Sequence, residues 1–149
     1  MMNRIQNIYY TSSEKETFKL GISLAQDLKP GDSVSLEGDL GTGKTALVKG
    51  IARGLGIDDT ITSPTFTIVN SYEGIIPLHH FDVYRIDDPD ELFDIGWDEY
   101  FDGEAVCIVE WGDRVPEMFP PKRIRILIIR DPQGFQKRQI TIERQADNN

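Results

Sequence analysis

A chain of 149 residues has room for one domain with a real core. Hydrophobic residues at 39% and charged residues at 28% describe an ordinary globular protein, and no apolar run approaches the ~18–20 residues that a membrane span needs. The net charge of −9 argues against a direct grip on nucleic acid, which depends on clustered Lys and Arg releasing counterions.

The excess charge is confined to one stretch. Asp87, Asp88, Asp90, Glu91, Asp94, Asp98, Glu99, Asp102 and Glu104 fall in a segment without Lys or Arg, which leaves 16 acids against 16 bases elsewhere. Such a run serves either as a solvated face or as a docking surface for a basic partner. The start of the chain lacks the apolar stretch of a secretory signal, and the single cysteine, Cys107, cannot form an internal disulfide. A reducing cytoplasm is the expected setting.

No repeat or low-complexity linker divides the sequence, so one domain over 1–149 is expected, with 144–149 a flexible polar tail. Ile5 to Tyr10 reads as a first strand. Thr11/Glu14 and Ser13/Glu16 both have capping-box spacing, and Phe18, Ile22, Ala25 and Leu28 give the following helix an apolar face that Pro30-Gly31 ends. The strand Ser33 to Glu37 runs into a glycine loop, and Ala46 to Arg53 continues as a helix closed by Gly54-Leu55-Gly56. Thr67 to Tyr72 and Ile75 to Asp82 read as a hairpin around Glu73-Gly74. Asp88 is a candidate N-cap, with Pro89 at the first position of a short helix. Ala105 to Glu110 has the look of a buried strand, and Arg123 to Arg130 and Gln139 to Glu143 of two late ones. The expected fold is α/β, a mixed β-sheet flanked by helices.

Gly38-Asp39-Leu40-Gly41-Thr42-Gly43-Lys44-Thr45 fits the pattern of a glycine, four residues, a second glycine, lysine and threonine, with a strand before it and a helix after it. Glycines 38, 41 and 43 permit backbone conformations that turn amide N–H groups around phosphate oxygens, and the following helix presents its positive end. Lys44 adds a point charge for the outer phosphates. Thr45 adds a hydroxyl for magnesium, a hard cation that usually shares the substrate's phosphates. Asp82 and Glu110 each end an apolar run, so each is a candidate to handle metal or water at the carboxyl edge of the sheet.

Several residues read as structural. Cys107 in an apolar strand suits inert core. His79 and His80 are adjacent in a strand, so their side chains point to opposite faces and do not chelate one ion together. Trp97 and Trp111 read as packing residues, although Trp111 follows Glu110 directly and is placed to shield the site or touch a partner.

Ser63-Pro64-Thr65-Phe66, His80-Phe81-Asp82-Val83-Tyr84-Arg85, Asp94-Ile95-Gly96 and Val109-Glu110-Trp111-Gly112 follow the glycine loop in this order. The combination closely resembles the TsaE (YjeE) family, small bacterial P-loop ATPases needed to make threonylcarbamoyladenosine beside the anticodon of tRNAs that read codons beginning with A. The resemblance implies a P-loop NTPase-like three-layer sandwich, with ATP and Mg2+ bound. It implies that Gly38, Gly41, Thr42, Gly43, Lys44, Thr45 and Ala46 hold the nucleotide, that Thr45 and Glu110 hold the metal, and that Asp82 is the Walker-B-like acid. Thr65 would belong to a nucleotide-sensing loop, Trp111 would be a further functional position, and Thr11 would lie near the base, where the capping explanation competes. The family's chemistry on tRNA belongs to a TsaB-TsaD pair, so this chain would meet tRNA only indirectly, with its acidic segment facing a basic surface of the assembly.

The mechanism expected is slow ATP hydrolysis, with Lys44 and the loop neutralising phosphate charge and Asp82 or Glu110 orienting water. Arg85 is a candidate arginine finger if its loop folds back; a partner's basic residue, or none, is equally compatible. A small-molecule kinase shares the loop but needs an acceptor pocket and lid. A GTP switch would carry an Asn-Lys-x-Asp segment, which is missing here. A third alternative is a binding module in which hydrolysis only times release.

Overall fold

The computed structural model describes residues 4–39, 41–64 and 67–145. Seven strands form one sheet: β1 (Arg4–Thr11), β2 (Ser33–Glu37), β3 (Val69–Tyr72), β4 (Leu78–Asp82), β5 (Val106–Glu110), β6 (Arg123–Arg130) and β7 (Arg138–Gln145), in the order β1-β7-β6-β2-β5-β4-β3. The sheet is mixed, as expected. β2 runs parallel to β5 and β6, and β4 parallel to β5, whereas β1–β7, β6–β7 and β3–β4 are antiparallel. β2 and β5 lie at the centre, and every residue of both is buried. Coverage on both faces explains the apolar run of β5, whereas β2 also buries Ser33, Ser35 and Glu37, with Glu37 accepting from the Ser35 hydroxyl and from Arg125.

Two helices, α1 (Glu14–Ala25) and α2 (Lys44–Gly54), cover one face of the sheet. Their core joins Leu47, Val48 and Ile51 of α2 to Val34, Leu36, Ile108, Ile126 and Ile140 of the strands. The two helices touch through glycine. A Cβ on Gly50 would stand 2.0 Å from the Phe18 carbonyl oxygen, and one on Gly21 would stand 2.5 Å from that of Leu47. The opposite face is covered by two short helices, α3 (Glu91–Asp94) and α4 (Trp97–Tyr100), and two 3-10 turns over Gly112–Arg114 and Pro116–Met118. There Phe81, Cys107 and Val109 pack against Leu92, Trp97 and Val115, and the Trp97 indole donates to the Met118 carbonyl at 3.0 Å. The result is a three-layer sandwich. Among the described residues no helix is long and apolar enough to cross a membrane.

Local chemistry shifts several expected boundaries. Ser13 caps α1 by accepting the Glu16 amide at 3.1 Å, while the Glu16 carboxylate accepts the Ser12 amide at 2.9 Å. Thr11 is not the cap. It is buried at the end of β1, its hydroxyl 2.8 Å from that of Thr17. α1 stops at Ala25, before Pro30-Gly31, and its buried face is Thr17, Gly21 and Ala25 rather than Phe18 and Ile22. The expected hairpin has a five-residue loop, 73–77, because the amides of Ile75 and Ile76 donate to the Leu55 carbonyl instead of to a ladder. α3 begins at Glu91, later than expected. Asp88 takes the Asp90 amide in an Asx-turn, a use of its side chain that competes with capping. β7 runs through Gln145, two residues past the expected end, and 146–149 lie outside the described residues. All nine carboxylates of the acidic segment are exposed.

Candidate functional site

The glycine loop follows β2 at the carboxyl end of the four parallel strands β6, β2, β5 and β4. Gly38, Gly41 and Gly43 all take positive φ, at 144°, 75° and 101°, so the loop's path depends on residues without a Cβ. Gly43 is the left-handed N-cap of α2 and supplies no side-chain acceptor, which leaves the first amides of the helix directed into the loop. The Thr42 hydroxyl instead closes the loop on itself, donating to the Asp39 carbonyl at 2.8 Å.

Lys44 is only 6% exposed. Its ammonium donates to the Gly38 carbonyl at 2.5 Å and the Asp39 carbonyl at 3.4 Å, and stands 3.7 Å from the centre of the Trp111 ring. Burial lowers its pKa, against the opposing pull of Glu110, Asp82, Asp113 and Asp39. A desolvated cation held against carbonyl dipoles and an aromatic face is a ready partner for an anion, which would satisfy it better than either.

Asp82 and Glu110 end β4 and β5, and they are paired in register. Leu36 of β2 pairs with Glu110 in turn, so both acids meet the loop at one sheet edge. Their surroundings differ. Glu110 is 4% exposed, and its Oε2 lies 2.6 Å from His80 Nε2, while Oε1 has no hydrogen-bond partner among the described residues. Asp82 is half-buried. One of its oxygens accepts the Tyr84 amide at 2.9 Å and the other the Ser63 hydroxyl at 3.4 Å. Its own amide donates to the Ile68 carbonyl at 2.8 Å. Asp82 therefore ties the segment around Ser63 to the sheet edge.

Two residues here occupy the left-handed region without being glycine: Ile68 at φ 69° and Trp111 at φ 64°. Each costs about 1–3 kcal/mol and persists only where neighbouring contacts enforce it. For Trp111 those contacts are Lys44 and the Tyr84 ring, 4.8 Å away.

These groups line a cleft of about 700 Å³. At one end stand Ser63, Asp82, Tyr84, Arg85, Glu110 and Trp111; the loop residues Gly41 to Ala46 form the middle. Ser13, Glu14 and Thr17 from the start of α1, with Phe135, Gln136 and Arg138 from the β6–β7 turn, form the other end. Of the residues expected at the site, Lys44, Thr45, Asp82, Glu110 and Trp111 are brought together. Gly38 lies at the back of the loop beneath Lys44, and Thr11 sits one layer behind the cleft wall, against Thr17. Thr65 falls outside the described residues.

The sequence presents His80 only beside His79, as half of a pair that does not chelate, and not as the partner of Glu110. The alternation that separates the two histidines also puts His80 on the same face as Asp82, two residues on, and that signal was available. His79 faces the other way, in an edge contact with the Tyr100 ring at 4.9 Å. The Cys107 thiol is buried, with its pKa pushed up to about 12 by that burial and by Asp102, in keeping with inert core. Thr17, Phe135, Gln136 and Arg138 carried no local signal, because only the strand order brings them to the loop.

The model of a family described as threonylcarbamoyl adenosine biosynthesis protein TsaE matches residues 11–140. A tRNA threonylcarbamoyladenosine biosynthesis protein TsaE of Bacillus subtilis (strain 168) is 48% identical over 132 residues, 88% of this chain and 81% of that protein. A protein of the same name in Treponema pallidum (strain Nichols) is 44% identical, over 76% of this chain and 84% of its own length. The fold is similar to a crystal structure of Bacillus subtilis YdiB, with a TM-score of 0.80, 39% identity, and 98% of this chain and 88% of that one covered. With matches of this extent on the sequence and on the fold, the chain belongs to the TsaE family.

Proposed function

We propose that this protein is a cytoplasmic ATPase that supports threonylcarbamoyl modification of the adenosine next to the anticodon, in tRNAs reading codons that begin with A. The observation that carries the catalytic part is the meeting, at one sheet edge, of the Gly38–Thr45 loop with the in-register pair Asp82 and Glu110. The family assignment carries the pathway.

In this reading the amides at the start of α2 and the Lys44 ammonium hold the phosphates of ATP, and the lysine exchanges its carbonyl partners for phosphate oxygens. Thr45 and the open oxygen of Glu110 hold magnesium, with His80 fixing the other oxygen. When bound, the ion supplies positive charge against the phosphates. Asp82, anchored through Tyr84 and Ser63, orients the attacking water. Arg85 lines the same end of the cleft. Because a transition-state arginine is worth ~10³–10⁵ in rate, turnover is slow in the isolated protein and faster in an assembly that completes the site. That assembly is the TsaB-TsaD pair. The −9 charge supports contact with tRNA only through it.

The test is calorimetric titration with ATP, with and without magnesium, alongside phosphate release. Lys44→Ala should lose nucleotide binding, and Glu110→Ala should keep nucleotide but lose magnesium-dependent turnover. Normal hydrolysis in either variant contradicts the assignment. Product formation by the TsaB-TsaD pair in the presence of this protein should need hydrolysable ATP; equal product with a nonhydrolysable analogue would instead favour a binding module whose hydrolysis only times release.

A further inference from the structure

An edge strand presents a row of unpaired backbone N–H and C=O groups. Natural sheets blunt such edges by keeping them short, charging them, breaking them with proline or twisting them with a bulge. The two edges of this sheet, β3 and β1, differ in that respect. β3 is blunted by its length of four residues. β1 is not blunted. It runs eight residues in unbroken register with β7, so it carries no bulge, and Arg4-Ile5-Gln6-Asn7-Ile8-Tyr9-Tyr10-Thr11 holds no proline, lysine or acid. All of these residues except Thr11 are exposed. Of the ten exposed large apolar side chains among the described residues, Ile5, Ile8, Tyr9 and Tyr10 share this one strand, which makes a patch and not a scatter.

The patch has two sides. Ile5, Asn7 and Tyr9 pair with Arg144, Ile142 and Ile140, and the two isoleucines belong to the core beneath the helices, so these three residues of β1 look to the helix side. Arg4, Gln6, Ile8 and Tyr10 look to the other. An added strand would cover the backbone edge and border both rows at once.

The sequence of β1 is suited to pair with itself. Directly opposed residues of an antiparallel pair share a face, so a register centred on Asn7 sets Ile5 against Tyr9 on the helix side. On the other side it sets Gln6 against Ile8 and Arg4 against Tyr10. The single charge of β1 thus meets an aromatic ring of the second copy, and the two Arg4 residues stand at opposite ends. The net charge of −9 does not oppose this approach, because α3 and α4 carry the acidic segment over β4 and β5, on the far half of the sheet. At ~4.8 Å per strand β5 is about 19 Å from β1, beyond the ~8 Å over which salt leaves exposed charges coupled. β1 leads into the start of α1 at the cleft, so antiparallel pairing turns the two clefts in opposite directions and leaves each open.

We infer that β1 is a strand-addition edge where a second copy of this chain pairs antiparallel about Asn7, joining two seven-stranded sheets into one. The inference is independent of the nucleotide reading.

The test is sedimentation velocity from low to high micromolar protein. The unaltered chain should pass from the mass of one chain to that of two. Asn7→Lys, at an exposed position, should keep the mass of one chain throughout, because like charges would face each other across the pair. Asn7→Asp should do the same, and an equal mixture of the two variants should recover the dimer. Thermal midpoints at low concentration matching that of the unaltered protein show that both variants fold. Asn7→Cys should give a disulfide-linked dimer on mild oxidation, since facing Cα atoms lie ~4.5–5.5 Å apart, within disulfide reach, and the buried Cys107 does not compete. A single-chain mass for the unaltered protein at every concentration overturns the inference, and so does a dimer that Asn7→Lys leaves intact or a mixture that fails to recover one.

Discussion

His80 Nε2 lies 2.6 Å from Glu110 Oε2, and neither side chain is reached by solvent to any extent, at 0% and 5% exposed. A buried carboxylate without a partner is costly, so the imidazole both permits Glu110 to sit at the sheet edge and decides which of its oxygens faces the cleft. Among the described residues His80 Nδ1 is buried without a partner, and the contact with Glu110 is the hydrogen bond there that orients the ring.

His80→Phe should therefore act through Glu110. Stability should fall by about 1–3 kcal/mol, the cost of an unsatisfied buried group. Magnesium-dependent turnover should fall about 10–100-fold, the usual effect of losing a hydrogen bond to a metal ligand, while metal-free nucleotide binding is kept. Measuring magnesium dependence at fixed nucleotide checks this; an unaltered dependence in a folded variant would show that the pair only stabilises.

The α1–α2 contact should be intolerant of one methyl group. Gly50→Ala gains about 1 kcal/mol in helix propensity, yet its Cβ would meet the Phe18 carbonyl, and backbone cannot step aside as a side chain can. Overpacking of this kind costs about 1–3 kcal/mol or more, so the urea midpoint should drop. A midpoint that rises would mean the helices separate freely.

Cys107 should react with a thiol reagent only when the protein unfolds. Burial, with Asp102, raises its pKa from 9.0 to about 12, so the folded thiol stays protonated where the unfolded one ionises. Between those values the unfolded state binds fewer protons, and the contribution to stability, complete below pH 9, is lost as pH rises toward 12. Labelling at pH 8 should follow unfolding by denaturant. Rapid labelling of the native protein would place the thiol at the surface.

The acidic segment allows a charge reversal that leaves its turn intact. Glu91 accepts the amides of Asp87 and Asp88 at 3.1 and 3.2 Å, so replacing it disturbs the turn as well as the charge. Asp90, Asp94 and Asp98 are exposed, and their carboxylates accept no hydrogen bond among the described residues. Changing these three to Lys should weaken binding to the TsaB-TsaD pair and make what remains less salt-sensitive, with ATP affinity unchanged. Pull-down across a salt series would decide it, and identical capture would leave the segment a solvated face.

Sequence alone determined the phosphate loop, its strand and helix, and the two acids. Each of these is local: glycine spacing and a carboxylate after an apolar run depend on neighbours in the chain. It also determined the buried strand β5, because coverage on both faces leaves a continuous apolar run from Ala105 to Val109. The boundaries at Ala25, at the 73–77 loop and at Asp88 escaped it, since each turns on which distant or competing group takes a backbone hydrogen bond. Only the tertiary structure decided that Asp82 and Glu110 share a register, that His80 belongs to Glu110 rather than to His79, and that Phe135 stands at the far end of the cleft. Those relations come from strand order, which brings residues 30 and 96 positions apart to one edge, and no spacing along the chain records it.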